Sequence, residues 1–373
     1  MPPARLLYLV TEDWYFMLHR LALARAARDA GFEVHVATRV DRHGAAIAAE
    51  GFRLHPLDWQ RGSINPLAFL SSILAVRRIY RAVRPDLVHQ VALQPSIVGS
   101  IASLGQPIRV LNGIAGLGFA FTSATPRARI VRVVLTALTR WLFNRAGTLT
   151  STENPDDGAA LAALGVARDR LVGIPGAGVD IERLTPLPEP DGPVTAAYAG
   201  RLIGDKGLQA LIAAQALLAA SGHPVRLLLA GEPDPANPTS ISASMLTEWR
   251  RQPGVELLGH VTDIRTVWAK AHIAVLPSRR EGLPISLVEA AACGRPLVAT
   301  DVPGCREVAR PDINAILVPV DDAPALAAAL RTLAGDPSLR ARYGAAGRHI
   351  VETEYSSARV GRDTVALYRR LLA

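Results

Sequence analysis

Short, continuously apolar runs alternate with longer helical segments along the chain, and this alternation restricts the fold more than any other feature. Residues 6–10, 34–37 and 87–89 are examples in the first half. Apolar runs without polar alternation indicate strands that are buried on both faces, and helices between them indicate parallel βαβ units. We therefore predict an α/β fold built from doubly wound, Rossmann-like parallel sheets.

The chain is long enough for two such sheets, since its 373 residues are about twice the size of a common single domain. A stretch with four prolines at 185–193 interrupts the alternation, as a stiff linker would. The pattern then resumes with predicted strands at 194–198, 225–230, 255–258, 273–276, 297–300 and 316–318. The predicted organisation is a first domain at 1–184, a linker at 185–193, a second domain at 194–355, and a C-terminal helix at 356–373 that packs back on the first domain.

Composition excludes several classes of protein. With 49% hydrophobic residues and a mean hydropathy of +0.20, the chain is not disordered. Its two cysteines, Cys293 and Cys305, cannot form a zinc tetrad or a secreted disulfide framework. The N-terminus lacks the order of a signal peptide and no apolar run reaches transmembrane length, so we expect a cytosolic protein.

The net charge of +8 is concentrated in the first half. Residues 1–190 contain 21 arginines and no lysine against 15 acids, whereas 191–373 contain 20 basic and 18 acidic residues. This excess predicts an anionic partner, and the absence of a recognition module disfavours nucleic acid. Basic residues cluster at 77–84 and at 127–145, where Trp141 accompanies the arginines. The second cluster fits either an interfacial helix on anionic lipid or a core-packing helix with solvated arginines.

The segment 278–291 carries the strongest chemical signal. A buried strand ends just before it, Gly282 and Pro284 make a turn, and a helix is predicted to begin near Ile285. The first amides of such a helix are unpaired and lie at the positive end of its dipole, which makes an anion site. Two acids, Glu281 and Glu289, bracket this site and are suited to accept hydrogen bonds from sugar hydroxyls. The alternative is a helix-start acid and a solvated helix residue.

A second strand–turn–helix segment spans 198–208. Arg201 and Lys206 flank its turn, which includes Gly200, and Lys206 is one of only two lysines in the chain. Two cations at a helix start suit a diphosphate. The alternative is a pair of surface cations with Asp205 as their partner.

Common nucleotide motifs are absent. No Gly-x-Gly-x-x-Gly follows the first strand, and the glycine cluster at 113–118 has the opposite order. No Walker A sequence occurs either. We therefore expect neither a nicotinamide site nor an ATP site of the common kinds.

The two acids carry a resemblance to a known family. Glu281 and Glu289, with seven residues between them, match the Glu-x7-Glu motif of retaining glycosyltransferases of family four, which have the GT-B fold. Further segments are similar to that family at 275–278, 289–296 and 300–307. In the first half, four shorter segments resemble the branch that builds capsular, O-antigen and lipid-linked oligosaccharides: 19–21, 88–95, 116–119 and 154–157.

The resemblance implies two Rossmann-like domains facing across a cleft, the first for the acceptor and the second for a nucleotide-sugar donor. It places Arg201 and Lys206 on the donor diphosphate, Glu281 on the sugar hydroxyls and Glu289 on the ribose. The donor would also meet the backbone near Gly200 and that of Gly282, Leu283, Pro284 and Ile285. The implied catalytic residues are Glu281, Arg201 and Lys206, and neither a metal nor a cofactor is expected.

The sequence departs from the family pattern in its first half. Glu12-Asp13-Trp14 replaces a Gly-Gly turn after the first strand. Many members place a histidine against the donor sugar, but none occurs here between Gln90 and Gly222. The acceptor-side candidates, for which a structural role is the alternative, are His19, Arg20 and His89.

The resemblance thus implies a retaining, metal-independent hexosyltransferase. It would move a hexose or N-acetylhexosamine from a nucleotide sugar, with UDP the expected nucleotide, to a lipid-linked (polyprenyl diphosphate) sugar in surface polysaccharide or glycan assembly. The protein would work on the cytosolic membrane face, in peripheral contact with anionic lipid. The alternatives are a nucleotide-sugar epimerase or α-glucan-type synthase on the same fold, and a catalytically silent sugar-binding partner subunit.

Overall fold

The computed structural model describes residues 2–59, 65–114, 126–235 and 237–373, with the backbone alone at 126–131. The chain divides into two compact units. Unit 1 is Met1–Gly178 together with Ser357–Ala373, and unit 2 is Val179–Ser356.

Unit 1 is built on a parallel sheet with helices between its strands. The strands are β1 Arg5–Glu12, β2 Glu33–Arg39, β3 Arg53–Pro56, β4 Leu87–Val91, β5 Arg109–Ile114, β6 Thr148–Thr152 and β7 Leu171–Gly173. The helices are α1 Asp13–His19, α2 Leu21–Asp29, α3 Gly44–Ala49, α4 Pro66–Val83, α5 Leu93–Ala102, α6 Pro126–Phe143 and α7 Pro155–Ala163. Within the described residues the sheet order is β3-β2-β1-β4-β5-β6-β7. Every side chain of β4 is buried, because helices cover both faces of the sheet.

Unit 2 repeats the same architecture. Its strands are β8 Thr195–Ala199, β9 Arg226–Ala230, β10 Val255–Gly259, β11 Ile273–Leu276, β12 Leu297–Thr300 and β13 Ala315–Val318. Its helices are α8 Leu208–Ala220, α9 Ala243–Arg251, α10 Arg265–Trp268, α11 Ile285–Ala292, α12 Pro303–Val308, α13 Ala323–Gly335 and α14 Pro337–Ile350. All strand pairs are parallel, in the order β10-β9-β8-β11-β12-β13 over the part of the chain that the structure describes. The predicted α/β class with two doubly wound sheets is confirmed.

The C-terminal helix α15, Ser357–Leu372, belongs to unit 1. The buried hydroxyl of Tyr368 lies 2.8 Å from Tyr8 Oη and 2.7 Å from His89 Nδ1. Burial, with a smaller contribution from the Arg20 charge, lowers the pKa of His89 well below its usual value, so its ring is neutral. A buried polar chain therefore joins α15 to the central strands β1 and β4.

The predicted linker at 185–193 packs onto unit 2. Arg295 donates to the carbonyl of Pro188 at 2.7 Å, and Glu189 pairs with Arg340 at 2.5 Å. The compact units divide before this stretch, not within it. Its prolines indicate the lack of regular structure correctly, but the charged side chains around it fix it to the unit that follows.

The apolar periodicity of residues 18–30 predicts a single amphipathic helix, but the structure has two helices, α1 and α2, in this region. Arg20 separates α1 from α2 with a non-helical backbone, at φ −133° and ψ −12°. Its side chain is buried at this break and donates to Glu153 at 3.2 Å. Apolar periodicity gave no sign of the break, since the group responsible is a buried cation.

Some sequence features lie outside what the structure describes. These are residues 115–119 of the glycine-rich segment and the side chains of Arg127 and Arg129. Among the helices described, none combines the length and the apolar character that crossing a bilayer requires.

The buried polar chain predicts that Tyr368→Phe destabilises the protein more than Tyr8→Phe. Loss of the Tyr368 hydroxyl leaves both Tyr8 Oη and His89 Nδ1 unpaired in the core, whereas loss of the Tyr8 hydroxyl leaves Tyr368 bonded to His89. An unpaired buried polar group costs on the order of 1–3 kcal/mol, so the free energies of unfolding should differ by about 2 kcal/mol. Urea unfolding measures this difference. Equal losses of stability in the two variants would contradict the role of the buried hydrogen-bond chain.

Candidate active site

The carboxyl ends of β8 and β11 lie side by side in unit 2, because the two strands pair in the centre of the sheet. The chain leaves β8 into a turn at 200–207 and leaves β11 into a loop at 277–284. The strand order reverses between these two strands, and ligands of doubly wound sheets bind at such a switch point. The two segments touch, since Arg279 N donates to Asp205 O at 2.9 Å.

Gly207 permits the close approach of these two segments. It has φ +66°, and a Cβ on it would lie 2.0 Å from Pro277 O. Only glycine tolerates both the left-handed backbone and the contact. Because α8 begins at the next residue, the position of its N-terminus depends on Gly207.

Lys206 and Glu281 form an ion pair across this contact. Lys206 Nζ lies 2.5 Å from Glu281 Oε1, and Ser278 Oγ donates to the same oxygen at 2.5 Å. Both charged side chains are largely buried. Thr300 Oγ1 in turn donates to the carbonyl of Ser278. The carboxylate is therefore held in one orientation by groups from three neighbouring strand ends.

Arg201 is fixed in a similar way at the other end of the β8 turn. Its guanidinium pairs with Asp234 at 2.6 Å, and its carbonyl accepts from Tyr198 Oη at 2.7 Å. The predicted alternative, in which Asp205 is the partner of the two cations, does not describe the structure. Asp205 instead faces Arg280 at 3.8 Å.

The starts of α8 and α11 leave backbone donors at the same edge. Gly207 precedes α8 and Pro284 precedes α11, and neither offers a side-chain acceptor to the opening amides. These amides carry the positive end of each helix dipole. Together with the carboxylate-paired cations Arg201 and Lys206, they concentrate hydrogen-bond donors at this edge of the sheet.

Gly304 places a third backbone segment against the loop that carries Glu281. A Cβ on Gly304 would lie 2.3 Å from Gly282 O and 2.7 Å from Glu281 O, so α12 packs directly on this loop. The next residue, Cys305, is buried, and burial raises the pKa of its thiol. It is therefore protonated at neutral pH and acts in packing.

Glu289 is the fifth residue of α11 and lies eight residues after Glu281 along the chain. Burial raises its pKa to about 7, and the charge of Arg183 opposes this effect. The carboxyl group therefore changes its charge near neutral pH, unlike an ordinary surface glutamate. The alternative of a solvated helix residue does not describe Glu289, because the side chain is partly buried and its surroundings disfavour the charged form.

The acceptor-side candidates lie in unit 1. Arg20 is buried beside Glu153. Burial raises the pKa of Glu153, and the charge of Arg20 offsets part of this rise. The ring of His19 packs on that of Tyr15, with centroids 4.4 Å apart. His89 is in the core, which does not support a direct contact with an acceptor.

Two residues of this arrangement had no role in the sequence analysis. Asp234 follows β9, which pairs with β8, and a carboxylate after the end of a neighbouring strand is the signal that points to it. Ser278 stands three residues before Glu281, and its position two residues after the end of β11 is the corresponding signal. Neither is recognisable as a partner without the strand order.

Two family models match the chain, one in each unit. Residues 5–153 match the model described as "Glycosyl transferase 4-like", and residues 193–336 match "Glycosyl transferases group 1". Together the two matches span well over half of the chain.

Characterised relatives are also glycosyltransferases. An N,N'-diacetylbacillosaminyl-diphospho-undecaprenol alpha-1,3-N-acetylgalactosaminyltransferase of Campylobacter jejuni is 23% identical over 86% of this chain and 87% of its own. The capsular polysaccharide biosynthesis glycosyltransferase CapM of Staphylococcus aureus is 30% identical over 47% of this chain and 46% of its own. The chain thus aligns with about half the length of CapM.

Solved structures share the fold. Sucrose-phosphate synthase from Thermosynechococcus elongatus aligns with a TM-score of 0.82 at 21% identity, over 99% of each chain. Anabaena HepE in complex with UDP and glucose aligns with a TM-score of 0.79 at 17% identity, over 98% of this chain and 99% of its own. With both family models matched and this fold, the chain belongs to the group 1, family-four-like glycosyltransferases of the GT-B fold.

Proposed function

We propose that the protein is a retaining, metal-independent glycosyltransferase that moves a hexose or N-acetylhexosamine from a UDP-sugar to a lipid-linked sugar. One observation carries the proposal. At the switch point of unit 2, Arg201, Lys206 and two uncapped helix starts surround the end of the sheet where Glu281 is held in place.

The donor diphosphate would bind to these donors. Arg201, Lys206 and the opening amides of α8 and α11 supply the charge and hydrogen bonds that a metal ion supplies elsewhere. Each charge-assisted hydrogen bond contributes on the order of 1.5–3 kcal/mol. Because the diphosphate gains negative charge as it leaves, the same groups stabilise the transition state more than the ground state.

The transfer itself is a substitution at the anomeric carbon. The bond from this carbon to the diphosphate oxygen breaks, and the electron pair stays on the departing UDP. The acceptor hydroxyl oxygen bonds to the same face of the carbon, and its proton leaves with the diphosphate. Glu281, oriented by Lys206 and Ser278, would position the sugar through its hydroxyls, and Glu289 would accept hydrogen bonds from the ribose.

The comparisons support the choice of substrates. HepE was solved in complex with UDP and with UDP-glucose. The Campylobacter relative is named for an undecaprenol-diphosphate-linked acceptor and for N-acetylgalactosamine transfer. A lipid-linked acceptor would place the reaction at a membrane surface, with unit 1 on the acceptor side.

Glu281→Ala and Lys206→Ala are expected to lower kcat by about 10²–10³-fold, the usual effect of removing one preorganised group. Lys270→Ala is the matched control, because Lys270 is the other lysine of the chain and is exposed in unit 2. The assay follows UDP release from a panel of UDP-hexoses and UDP-N-acetylhexosamines in the presence of a prenyl-diphosphate-linked sugar and EDTA. Thermal melting checks that each variant remains folded.

Four outcomes would overturn the proposal. Normal turnover in a folded Glu281→Ala or Lys206→Ala variant would remove the assigned roles. Loss of activity in EDTA would exclude metal independence, and inverted anomeric configuration in the product would exclude retention. Isomerised donor in the absence of acceptor would identify an epimerase instead.

Glu289 predicts a pH dependence of nucleoside binding. With a pKa of about 7, it is mostly protonated at pH 6 and mostly ionised at pH 8. The ionised form is the better acceptor for ribose hydroxyls, so uridine affinity should rise by about tenfold between these pH values, as one titrating group at that pKa requires. Uridine is used because it has no phosphate that titrates in this range.

Glu289→Gln is the control for this effect, since the amide does not ionise. Its uridine affinity should be constant from pH 6 to pH 8 in calorimetric titrations. In the unliganded wild type, the raised pKa stabilises the folded state at low pH, and this contribution is lost as the pH rises from about 4.5 through 7. A flat uridine profile in the wild type would contradict the role of Glu289.

A further inference from the structure

The solvent side of α4 carries an unusual stripe of leucines. Leu67, Leu70 and Leu74 are 76%, 52% and 48% exposed and follow one another at helical spacing. The opposite side of the helix packs in the core, through Phe69 and Ile73 in its first half and through Val76 and Tyr80 in its second half. The first half of α4 is therefore apolar on both sides, and the core uses only one of them. Contiguous exposed apolar residues of this kind mark interaction sites.

Arginines follow the leucines on the same exposed side of α4, toward its C-terminal end. Arg78 and Arg81 follow Leu74 at helical spacing, and both are exposed. Within the described residues neither takes part in an ion pair, whereas the neighbouring Arg77 is bound to the carbonyls of Ala102 and Leu104. The exposed face of α4 is thus apolar at its start and cationic at its end.

Helix α6 shows the same composition beside α4. Val133, Val134 and Trp141 are exposed there, and Arg140 is exposed one residue before Trp141. Both helices pack against α5, and Phe69 of α4 joins the core cluster that contains Leu142 of α6. The two helices therefore cover the same face of the unit 1 sheet.

We propose that this surface, the α4–α6 surface, binds an anionic lipid membrane. It comprises Leu67, Leu70, Leu74, Arg78, Arg81, Val133, Val134 and Trp141. Leucine and tryptophan would enter the boundary between headgroups and acyl chains, and the arginines would bind lipid phosphates. The proposal deepens the proposed function, because a lipid-linked acceptor would be present in that membrane.

Charge favours lipid over a second copy of the chain. Neither α4 nor α6 contains an aspartate or glutamate. A symmetric dimer through this surface would place arginines against arginines, since a two-fold interface pairs the same patch on both subunits. A surface of anionic phosphates complements both the charge and the apolar stripe.

The test is flotation of the full chain with vesicles of phosphatidylglycerol and phosphatidylcholine, without donor or acceptor. The wild type should bind these vesicles and not vesicles of phosphatidylcholine alone. Arg78→Gln/Arg81→Gln should weaken binding by about 25-fold, as about fivefold for each arginine near an anionic surface requires. The matched control is Arg250→Gln/Arg251→Gln, at exposed positions in the last turn of α9.

The apolar half of the surface is tested in the same way. Leu70→Asp/Leu74→Asp should lower vesicle binding at least tenfold, whereas Leu217→Asp, at a leucine 45% exposed on α8, should not. Unchanged melting temperatures establish that the variants are folded.

The proposal is overturned if all variants bind vesicles as strongly as the wild type does. It is also overturned if the wild type does not bind vesicles. A self-association that Leu70→Asp/Leu74→Asp abolishes, seen by sedimentation velocity without vesicles, would make the surface a dimer interface instead. Vesicle binding is measured without transfer, so its failure leaves the proposed function standing. Conversely, bound but inactive protein would count against the function alone.

Discussion

The contact between the turn after β8 and the loop after β11 is the constraint on which the candidate site depends. It exists because Gly207 has no Cβ and can lie against Pro277 O. The approach brings Lys206 from one strand end to Glu281 from the other, where they pair at 2.5 Å. A larger residue at Gly207 would separate the two loops and with them the cation and the carboxylate. Backbone packing thus sets the electrostatics of the site.

Strand types and their order along the chain were predictable, because buried parallel strands are continuously apolar and the helices between them are amphipathic. The site segments were also visible, since strand, turn and helix follow one another at Gly200–Leu208 and again at Leu276–Ile285. The side-chain partners that meet across neighbouring strands were not predictable from the sequence. Asp234 is distant from Arg201 along the chain, and only the pairing of β8 with β9 brings the two together.

The remaining differences have the same origin in tertiary contacts. The stretch at 185–193 has the composition of a linker, yet Arg340 and Arg295 fix it to unit 2. His89 ends a predicted strand, as a functional histidine would, but the C-terminal helix covers it through Tyr368. In each case the deciding partner lies more than a hundred residues away. Composition predicts the local structure of a segment, whereas tertiary contacts determine what the segment packs against.

The proposed mechanism depends on Lys206, which we propose binds the outer phosphate of the donor nucleotide. The most direct test compares the affinities of UDP and UMP by calorimetry in the wild type, in Lys206→Ala and in Lys270→Ala. The claim predicts that UDP binds at least about tenfold more tightly than UMP in the wild type and in Lys270→Ala, as one charge-assisted hydrogen bond requires. In Lys206→Ala this preference should largely disappear while uridine affinity stays the same. An undiminished preference for UDP in Lys206→Ala would contradict the claim.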